Sequence, residues 1–396
     1  MKNFKKLSAL VLAGAMVFSL AACGGGNAET PAPETTTPTE SGAPAETTPA
    51  TDMKVAMITD YGDITDQSFN QTTYEACNEF CTANSVEFTY YKPAGDSTAE
   101  RVAMVDASVA EGYNVIVMPG YAFAETIKET ADMCPDVTFI ALDVGEGDLG
   151  ADYTVPSNVY CAVYQEELCG YMAGYAAVKL GYTHLGFLGG MAVPAVQRYG
   201  YGFIQGADAA AVELGNGADV TVEYVYGNQF FGDADITAYM DNWYQTQGVE
   251  VVFACGGGIY TSAAEAAAKV GGKVIGVDVD QAGIIDAYGE GMTVTSAMKG
   301  LANTTKHLLQ ETMDGNFANY GGQIETLGLV SGDDPTANYV QLPMESTQWS
   351  DSFTQDNYKA LVAGMFDGTI TVSNDVSVAP ADNATAITVN AYDNIK

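Results

Sequence analysis

The stretch ITDYGDITDQSFNQ, residues 58–71, sets three acids, Asp60, Asp63 and Asp66, ahead of a Phe69-Asn70 pair. Carboxylates accept hydrogen bonds from vicinal hydroxyls, and the carboxamide of Asn70 donates and accepts at once, as the edge of a nucleobase requires. Phe69, and Phe230-Phe231 in NQFFGDAD, add flat apolar faces. A base held between two such rings gains ~1–3 kcal/mol per stacking contact. Each phenylalanine taken singly would serve as well in a core. Position sets them apart: Phe69 follows an acidic loop at the end of a strand, and Phe230-Phe231 stands in a loop rather than on an apolar stripe. Together these groups suit the binding of a neutral polar molecule with a flat face.

The common reaction signatures are missing. The chain has no GxxxxGK followed by Ser or Thr, no GxSxG, no HExxH, and no GxGxxG opening a helix after a strand. Its two histidines, His184 and His307, stand beside no obvious nucleophile. Asp60, Asp63 and Asp66 are spaced by three, whereas a calcium loop needs acids spaced by two and a closing Glu. Cys77, Cys81, Cys134, Cys161, Cys169 and Cys255 show no metal-ligand spacing and read as buried free thiols. No cofactor is expected.

What must position the binding groups is a run of short apolar segments alternating with helix-period segments. KVAMIT, VEFTYY, VIVMP and VTFIALD are separated by helices over 68–83, 98–111 and 123–133, which is βαβ order. VIVMP and TFIAL are apolar without alternation, as in parallel strands covered on both faces. After a helix with few charges, 165–180, the pattern restarts: HLGFLGG, VTVEYVYG, VEVVFACGGG and KVIGVDVD alternate with helices over 195–214, 233–247 and 260–270. In the linking helix Gly170 and Gly174 fall four apart, which permits close helix packing. Open parallel sheets bind ligands outside the carboxyl ends of their strands. That rule selects Asp60, Pro119 to Tyr121, Asp143, Gly189-Gly190, Tyr226 to Phe231, Cys255 to Gly258 and Asp278. Two lobes facing each other across a crevice would bring both sets together.

The ends are different in kind. Lys2, Lys5 and Lys6, an apolar run over 7–20 and LAAC at 20–23 read as a signal peptide over 1–22 with Cys23 as a lipidated mature N-terminus. Residues 23–52 are Gly, Ala, Pro, Glu, Ser and Thr with almost nothing larger that is apolar, and read as a disordered tether. The remainder is enough for two lobes. Formal charge is −35, and loss of the three leader lysines makes it −38. Nucleic acid is therefore a poor partner, and an acidic domain stands off an anionic membrane.

DQSFNQTTYEAC, VTFIALD, YMAGYAAVKLGYTHLGFLGGMAVPAVQRYGYGFIQGAD, YGNQFFGDAD, VFACGGGIYTSAAEAA, VIGVDVDQ and VTSAMKG, in that order, resemble the basic membrane protein (Bmp/PnrA-like) family, lipoproteins that bind nucleosides for ABC-type importers. The likeness runs from Lys54 to about Val372. It implies an α/β type I periplasmic-binding fold: two doubly wound parallel-sheet lobes joined by a hinge, residues 53–163 with 297–330 and residues 164–296 with 331–396. It implies a nucleoside, purine favoured, with Phe69 and Phe231 stacking on the base and Asp278 and Lys299 holding the ribose hydroxyls. Asp60, Asn70, Asp143 and Gly257 complete the expected set. Phe230 competes with Phe231, and loop register alone selects the latter. Gln67 stands where family members often carry Lys, and the tail beyond Val372 has no counterpart. Asp63 and Asp66 are expected to cap the helix that follows. The resemblance further implies an ABC permease partner, a monomer, anchorage to the bacterial cell membrane through Cys23, and no catalysis. A sugar or another small metabolite remains open as ligand, and so does a metal-dependent nucleoside hydrolase.

Overall fold

The computed structural model describes residues 52–396; the expected leader, Cys23 and all but the end of the tether lie outside the described residues. Ten strands fall into two sets of five. The first set is β1 (Lys54–Ile58), β2 (Glu87–Tyr91), β3 (Val115–Pro119), β4 (Thr138–Leu142) and β5 (Val159–Tyr164). The second is β6 (His184–Gly189), β7 (Thr221–Tyr226), β8 (Val251–Cys255), β9 (Lys273–Asp278) and β10 (Thr293–Lys299). Within each set the spatial order is the same, β5-β4-β3-β1-β2 and β10-β9-β8-β6-β7, all parallel. This is the doubly wound order, and its ligand crevice lies where the winding reverses, outside the carboxyl ends of the strands. The repeat inferred from the restart of the apolar pattern is thus a repeat of topology, and the molecule has the two-lobe type I periplasmic-binding architecture.

Three further strands complete the sheets. β11 (Gln323–Leu327) joins β5 in parallel, β12 (Val340–Gln341) joins β10 antiparallel, and β13 (Thr388–Ala391) joins β7 in parallel. The chain crosses between sheets after Tyr164, after Lys299, and between Leu327 and Val340. The crossings are tied to one another: Gln165 N–H donates to Leu327 O at 2.9 Å, Gly300 N–H to Tyr339 O at 2.7 Å, and Tyr339 N–H to Gly328 O at 3.0 Å. Residues 297–299, expected with the first lobe, belong instead to the second sheet. Their backbone is taken up by the ladder to β9, and the crossing comes at Gly300.

The linking helix Glu166–Lys179 packs on helix Pro194–Leu214 with the backbones almost touching. A Cβ on Gly170 or Gly174 would collide with the carbonyls of Tyr199 and Phe203, and one on Gly202 or Gly206 with those of Glu167 and Tyr171. Four glycines from two helices make this approach possible. It sits over a core of Tyr199, Phe203, Phe187, Tyr224 and Phe253, all at most 1% exposed. Its consequence is local to the site: the first turn of the linking helix is set against residues 198–202 of the other. The six described cysteines are free, five of them buried and Cys134 partly so.

Candidate functional site

One cavity of ≈ 1100 Å³ opens between the carboxyl ends of the two sheets, and all eight expected residues line it: Asp60, Phe69, Asn70, Asp143, Phe231, Gly257, Asp278 and Lys299. The first lobe supplies Asp60 directly after β1. Its Oδ1 accepts from the N–H groups of Tyr61 and Gly62, both at 2.7 Å. Gly120, at φ 126° after β3, lets the neighbouring strand end come close, since a Cβ there would meet the Asp60 carboxylate at 3.0 Å. Burial pushes the Asp60 carboxyl up, and those backbone donors pull against it.

Asp66 caps helix Phe69–Asn84, accepting from the N–H groups of Ser68, Asn70 and Gln71 at 2.9, 2.9 and 3.0 Å. Asp63 does not share that role. It binds Thr65 and the ammonium of Lys92 at 2.8 Å, which leaves it at the surface of the loop. Asp66 therefore fixes the turn that aims Phe69 and Asn70 at the cavity. Asn70 is 5% exposed, and its Oδ1 is buried without a partner among the described residues. A buried acceptor left open in this way costs about 1–3 kcal/mol unless something donates to it.

At the centre lies Lys299, the last residue of β10 and 6% exposed. Its Nζ is 2.6 Å from Asp143 Oδ2, 3.5 Å from Glu166 Oε1 and 3.7 Å from Asp278 Oδ1. It also stands 4.8 Å from the centre of the Phe69 ring, a cation–π distance. Burial works to lower this ammonium, and the carboxylates of Asp143, Asp278 and Glu166 outweigh it, so its proton is held more firmly than in an ordinary lysine. Asp278 is itself pushed up by burial, against the pull of Lys299 and Ser68. Asp143 and Asp278 each sit in left-handed backbone, φ 60° and 65°, at the ends of equivalent strands. Asp143 Oδ1 is buried and has no partner among the described residues.

Around this lysine stand groups that the sequence did not single out. Glu166, fully buried at the start of the linking helix, takes Arg198 Nε on Oε2 at 2.7 Å. The glycine-lined helix contact described above is what brings these two together. Two acids beginning an apolar helix, Glu166 and Glu167, read as favourable N-terminal charges, and only the second helix reveals the partner of Glu166. Tyr199 OH approaches Asp278 Oδ1 at 3.4 Å. Ser68, read only as part of SFN, donates from Oγ to Asp278 Oδ2 at 2.6 Å, across the cleft. Gln281 Nε2 to Gln67 O at 3.0 Å and Tyr61 OH to Met191 Sδ at 3.2 Å also cross it, so the two lobes touch on one side of the cavity.

The two phenylalanines of NQFFGDAD have different surroundings. Phe230 is half-buried and lies against Gly190 and Gly256, where added Cβ atoms would meet its ring, and it contacts Tyr61 across the cleft with centroids 6.4 Å apart. Phe231 is 60% exposed at the cavity wall, its backbone bridged to Gly258. Phe230 thus builds the wall, and Phe231 presents the open face. Gly257, at φ 52°, turns the facing strand end against the backbone of Phe230. With Arg198 committed to Glu166, and Lys299 shared by two further carboxylates, the centre of the cavity carries an excess of negative charge. It is suited to hydroxyl donors and unsuited to phosphate.

Comparison with known proteins gives a family. The family model described as "ABC transporter substrate-binding protein PnrA-like" matches residues 53–334. The chain is 27% identical over 300 residues to the "ABC transporter nucleoside-binding protein BmpA" of Lactococcus lactis, covering 71% of this chain and 80% of that one. It is 26% identical to "Basic membrane protein B" of Borreliella afzelii, covering 71% and 79%. In fold it is similar to an ABC transporter solute-binding protein of Conexibacter woesei, with a TM-score of 0.62 at 22% identity over 81% of this chain and 99% of that one. A solute-binding protein of Aeropyrum pernix gives 0.61 at 21% identity over 82% and 88%.

Proposed function

The chain belongs to the PnrA-like family of ABC transporter substrate-binding proteins, and from that premise we propose that it captures a nucleoside, purine favoured, between its lobes and presents the closed form to an ABC permease. The observation that carries this reading is Lys299, held between Asp143 and Asp278 and set over the Phe69 ring. A ribose bearing two adjacent hydroxyls donates to the carboxylates and accepts from the ammonium, while its base lies along Phe69. Phe231 closes the other face of the base, and Asn70, with an open buried acceptor, reads its edge. Asp60, and the close backbone at Gly257, bound the pocket on either lobe.

Closure follows from where these groups stand. Lys299 is one residue from a crossing and Glu166 two residues from another, while Asp143 belongs to the first lobe and Asp278 to the second. A ligand touching both carboxylates stabilises the arrangement in which the lobes meet, and differential contact of this kind is what shifts a hinge equilibrium. The protein acts by binding, without turnover. Its place is outside the cell membrane, held there by lipid on Cys23, and it works as a monomer.

Thermal unfolding in the presence of adenosine, guanosine, inosine, cytidine, uridine and a set of hexoses, repeated with EDTA, tests this. A rise in Tm with purine nucleosides that survives EDTA supports the reading. No rise with any nucleoside removes it, and release of free base on incubation with divalent cations replaces it with a hydrolase.

A further inference from the structure

The family match ends at residue 334, yet two residues well beyond it, Asn374 and Val376, form part of the cavity wall. Their segment is fastened to helix Pro194–Leu214, whose first turns also line the cavity. Gln205 exchanges two hydrogen bonds with the backbone of Ser373, at 2.9 and 2.8 Å, and Tyr201 OH donates to Val378 O at 2.9 Å. Further on, the carboxylate of Asp208 accepts from the N–H groups of Thr385, Ala386 and Ile387 at 3.0, 2.7 and 3.1 Å, and β13 then joins the sheet. The tail is an integral part of the second lobe.

Opposite it the cavity runs on past the residues assigned to a nucleoside. Those on the first lobe come from the ends of β1 and β4 and from the loop and helix that follow β1, whereas Val163 on β5 and Ile324 and Thr326 on β11 also line the wall. These strands lie one and two places beyond β4 in the sheet, at ~4.8 Å per strand. Ile324 and Thr326 are two apart, so they share a face of β11. Glu146 and Asp148 also line the cavity, from the turn after β4 whose Gly145 lies against Val163. The total of ≈ 1100 Å³ is at or above the top of the range of about 300–1,000 Å³ usual for small-ligand sites. The cavity's cations are all engaged: Lys92 with Asp63, Arg198 with Glu166, Lys299 with Asp143. Among the described residues no free positive group lines this end.

We propose that this outer chamber is a second subsite, which receives an uncharged or cationic substituent at the 5′ position of the nucleoside, and that the tail sets its size through Asn374 and Val376. The inference rests on the nucleoside reading: once the vicinal hydroxyls engage Asp143, Asp278 and Lys299, the 5′ carbon is the sugar position left to face the chamber. Val163, Ile324 and Val376 suit an apolar group, and Glu146 and Asp148 suit a cation. A phosphate meets the same two acids, and Arg198, the cation that acts on Asp148, is already taken by Glu166.

The test is calorimetric titration of the full protein, and of Val376→Trp and Asn374→Trp variants, with adenosine, 5′-methylthioadenosine, 5′-amino-5′-deoxyadenosine and adenosine 5′-monophosphate. Asn374 is exposed, so its variant keeps the test informative if Val376→Trp misfolds. The methylthio and amino compounds are expected to bind the wild type within about threefold of adenosine, and the monophosphate about a hundredfold more weakly. Each tryptophan is expected to weaken the two substituted compounds about tenfold while leaving adenosine within about threefold. If the substituted compounds bind the wild type ten times more weakly than adenosine, or the tryptophans weaken every ligand equally, the chamber is no subsite and the nucleoside reading stands. If no nucleoside binds at all, both fall.

Discussion

Asp143 and Asp278 are counterparts in the two halves of the molecule. Asp143 directly follows, and Asp278 ends, the fourth strand of its set, each holds a left-handed backbone angle (φ 60° and 65°), and both carboxylates face the one ammonium of Lys299, at 2.6 and 3.7 Å. A residue other than glycine at such angles stores strain of order 1–3 kcal/mol, which persists only where the surroundings fix it. A duplicated fold has in this way placed equivalent carboxylates on opposite walls of one cleft, and a lysine from the hinge joins them.

Removal of Lys299 is therefore a stability experiment as well as a binding one. Lys299→Met leaves the buried carboxylates of Asp143, Asp278 and Glu166 without their shared cation, and the loss is expected to be about 3–5 kcal/mol. Lys299→Met with Asp143→Asn should recover part of it. Urea unfolding of the two variants beside the wild type checks the order, and a double variant no more stable than the single one would show that Asp143 is not the carboxylate Lys299 chiefly neutralises.

The two phenylalanines of the facing loop should separate cleanly. Phe231→Ala removes an exposed stacking face and is expected to weaken nucleoside binding by ~1–3 kcal/mol with little change in Tm without ligand. Phe230→Ala removes a ring packed on Gly190 and Gly256 and should lower Tm of the free protein as well. Affinity and unfolding temperature, measured on both variants, decide. The reverse pattern would make Phe230 the stacking residue.

Much of this site was legible because the strand-end rule is geometric. Once the apolar runs were ordered, Asp60, Asp143, Gly257 and Asp278 had to share a crevice whatever the side chains did. Other features depended on contacts between distant segments. Glu166 carries no sign in its own helix of the arginine it meets, because Arg198 arrives on a helix that glycines allow to approach. Asp63 and Asp66 look alike in the sequence, and only the approach of Lys92 draws one of them away from the helix cap. The strand in the tail escaped notice because β13 has four residues, TVNA, with no buried member, and hangs on a sheet edge by its backbone and by Asp208.

Ser68 is expected to act as a latch between lobes. Its hydroxyl reaches Asp278 Oδ2 at 2.6 Å, both groups are buried, and a hydrogen bond to a charged group is worth about 1.5–3 kcal/mol. Ser68→Ala should shift the free protein toward an open form and weaken every ligand by a similar factor. Small-angle scattering without ligand would show a larger radius of gyration; an unchanged radius together with unchanged affinity would remove the latch.

Glu167 makes stability depend on pH. Burial, and next the neighbouring Glu166 carboxylate, hold its carboxyl at about 7 against an ordinary 4.5, and its Oε2 has no partner among the described residues. The folded protein keeps a proton that the unfolded chain gives up, so stability falls as pH rises from 4.5 to about 7 and the full cost, on the order of 3 kcal/mol, is present above that. Glu167→Gln should flatten the fall and stabilise the protein more at pH 8 than at pH 5, on the order of that cost. Denaturant midpoints at the two values check it, and equal gains at both would assign the effect to packing.

The most direct measurement is a calorimetric comparison of inosine, 2′,3′-dideoxyinosine and free ribose binding to the wild-type protein. With the base along Phe69 and Phe231, and the vicinal hydroxyls on Asp143, Asp278 and Lys299, inosine binds tightly. The dideoxy compound, which leaves those buried groups unpaired, binds at least about a hundredfold more weakly, and ribose without a base binds weakly or not at all. Equal affinity for inosine and its dideoxy analogue, or binding of ribose alone as tight as that of inosine, would contradict the account.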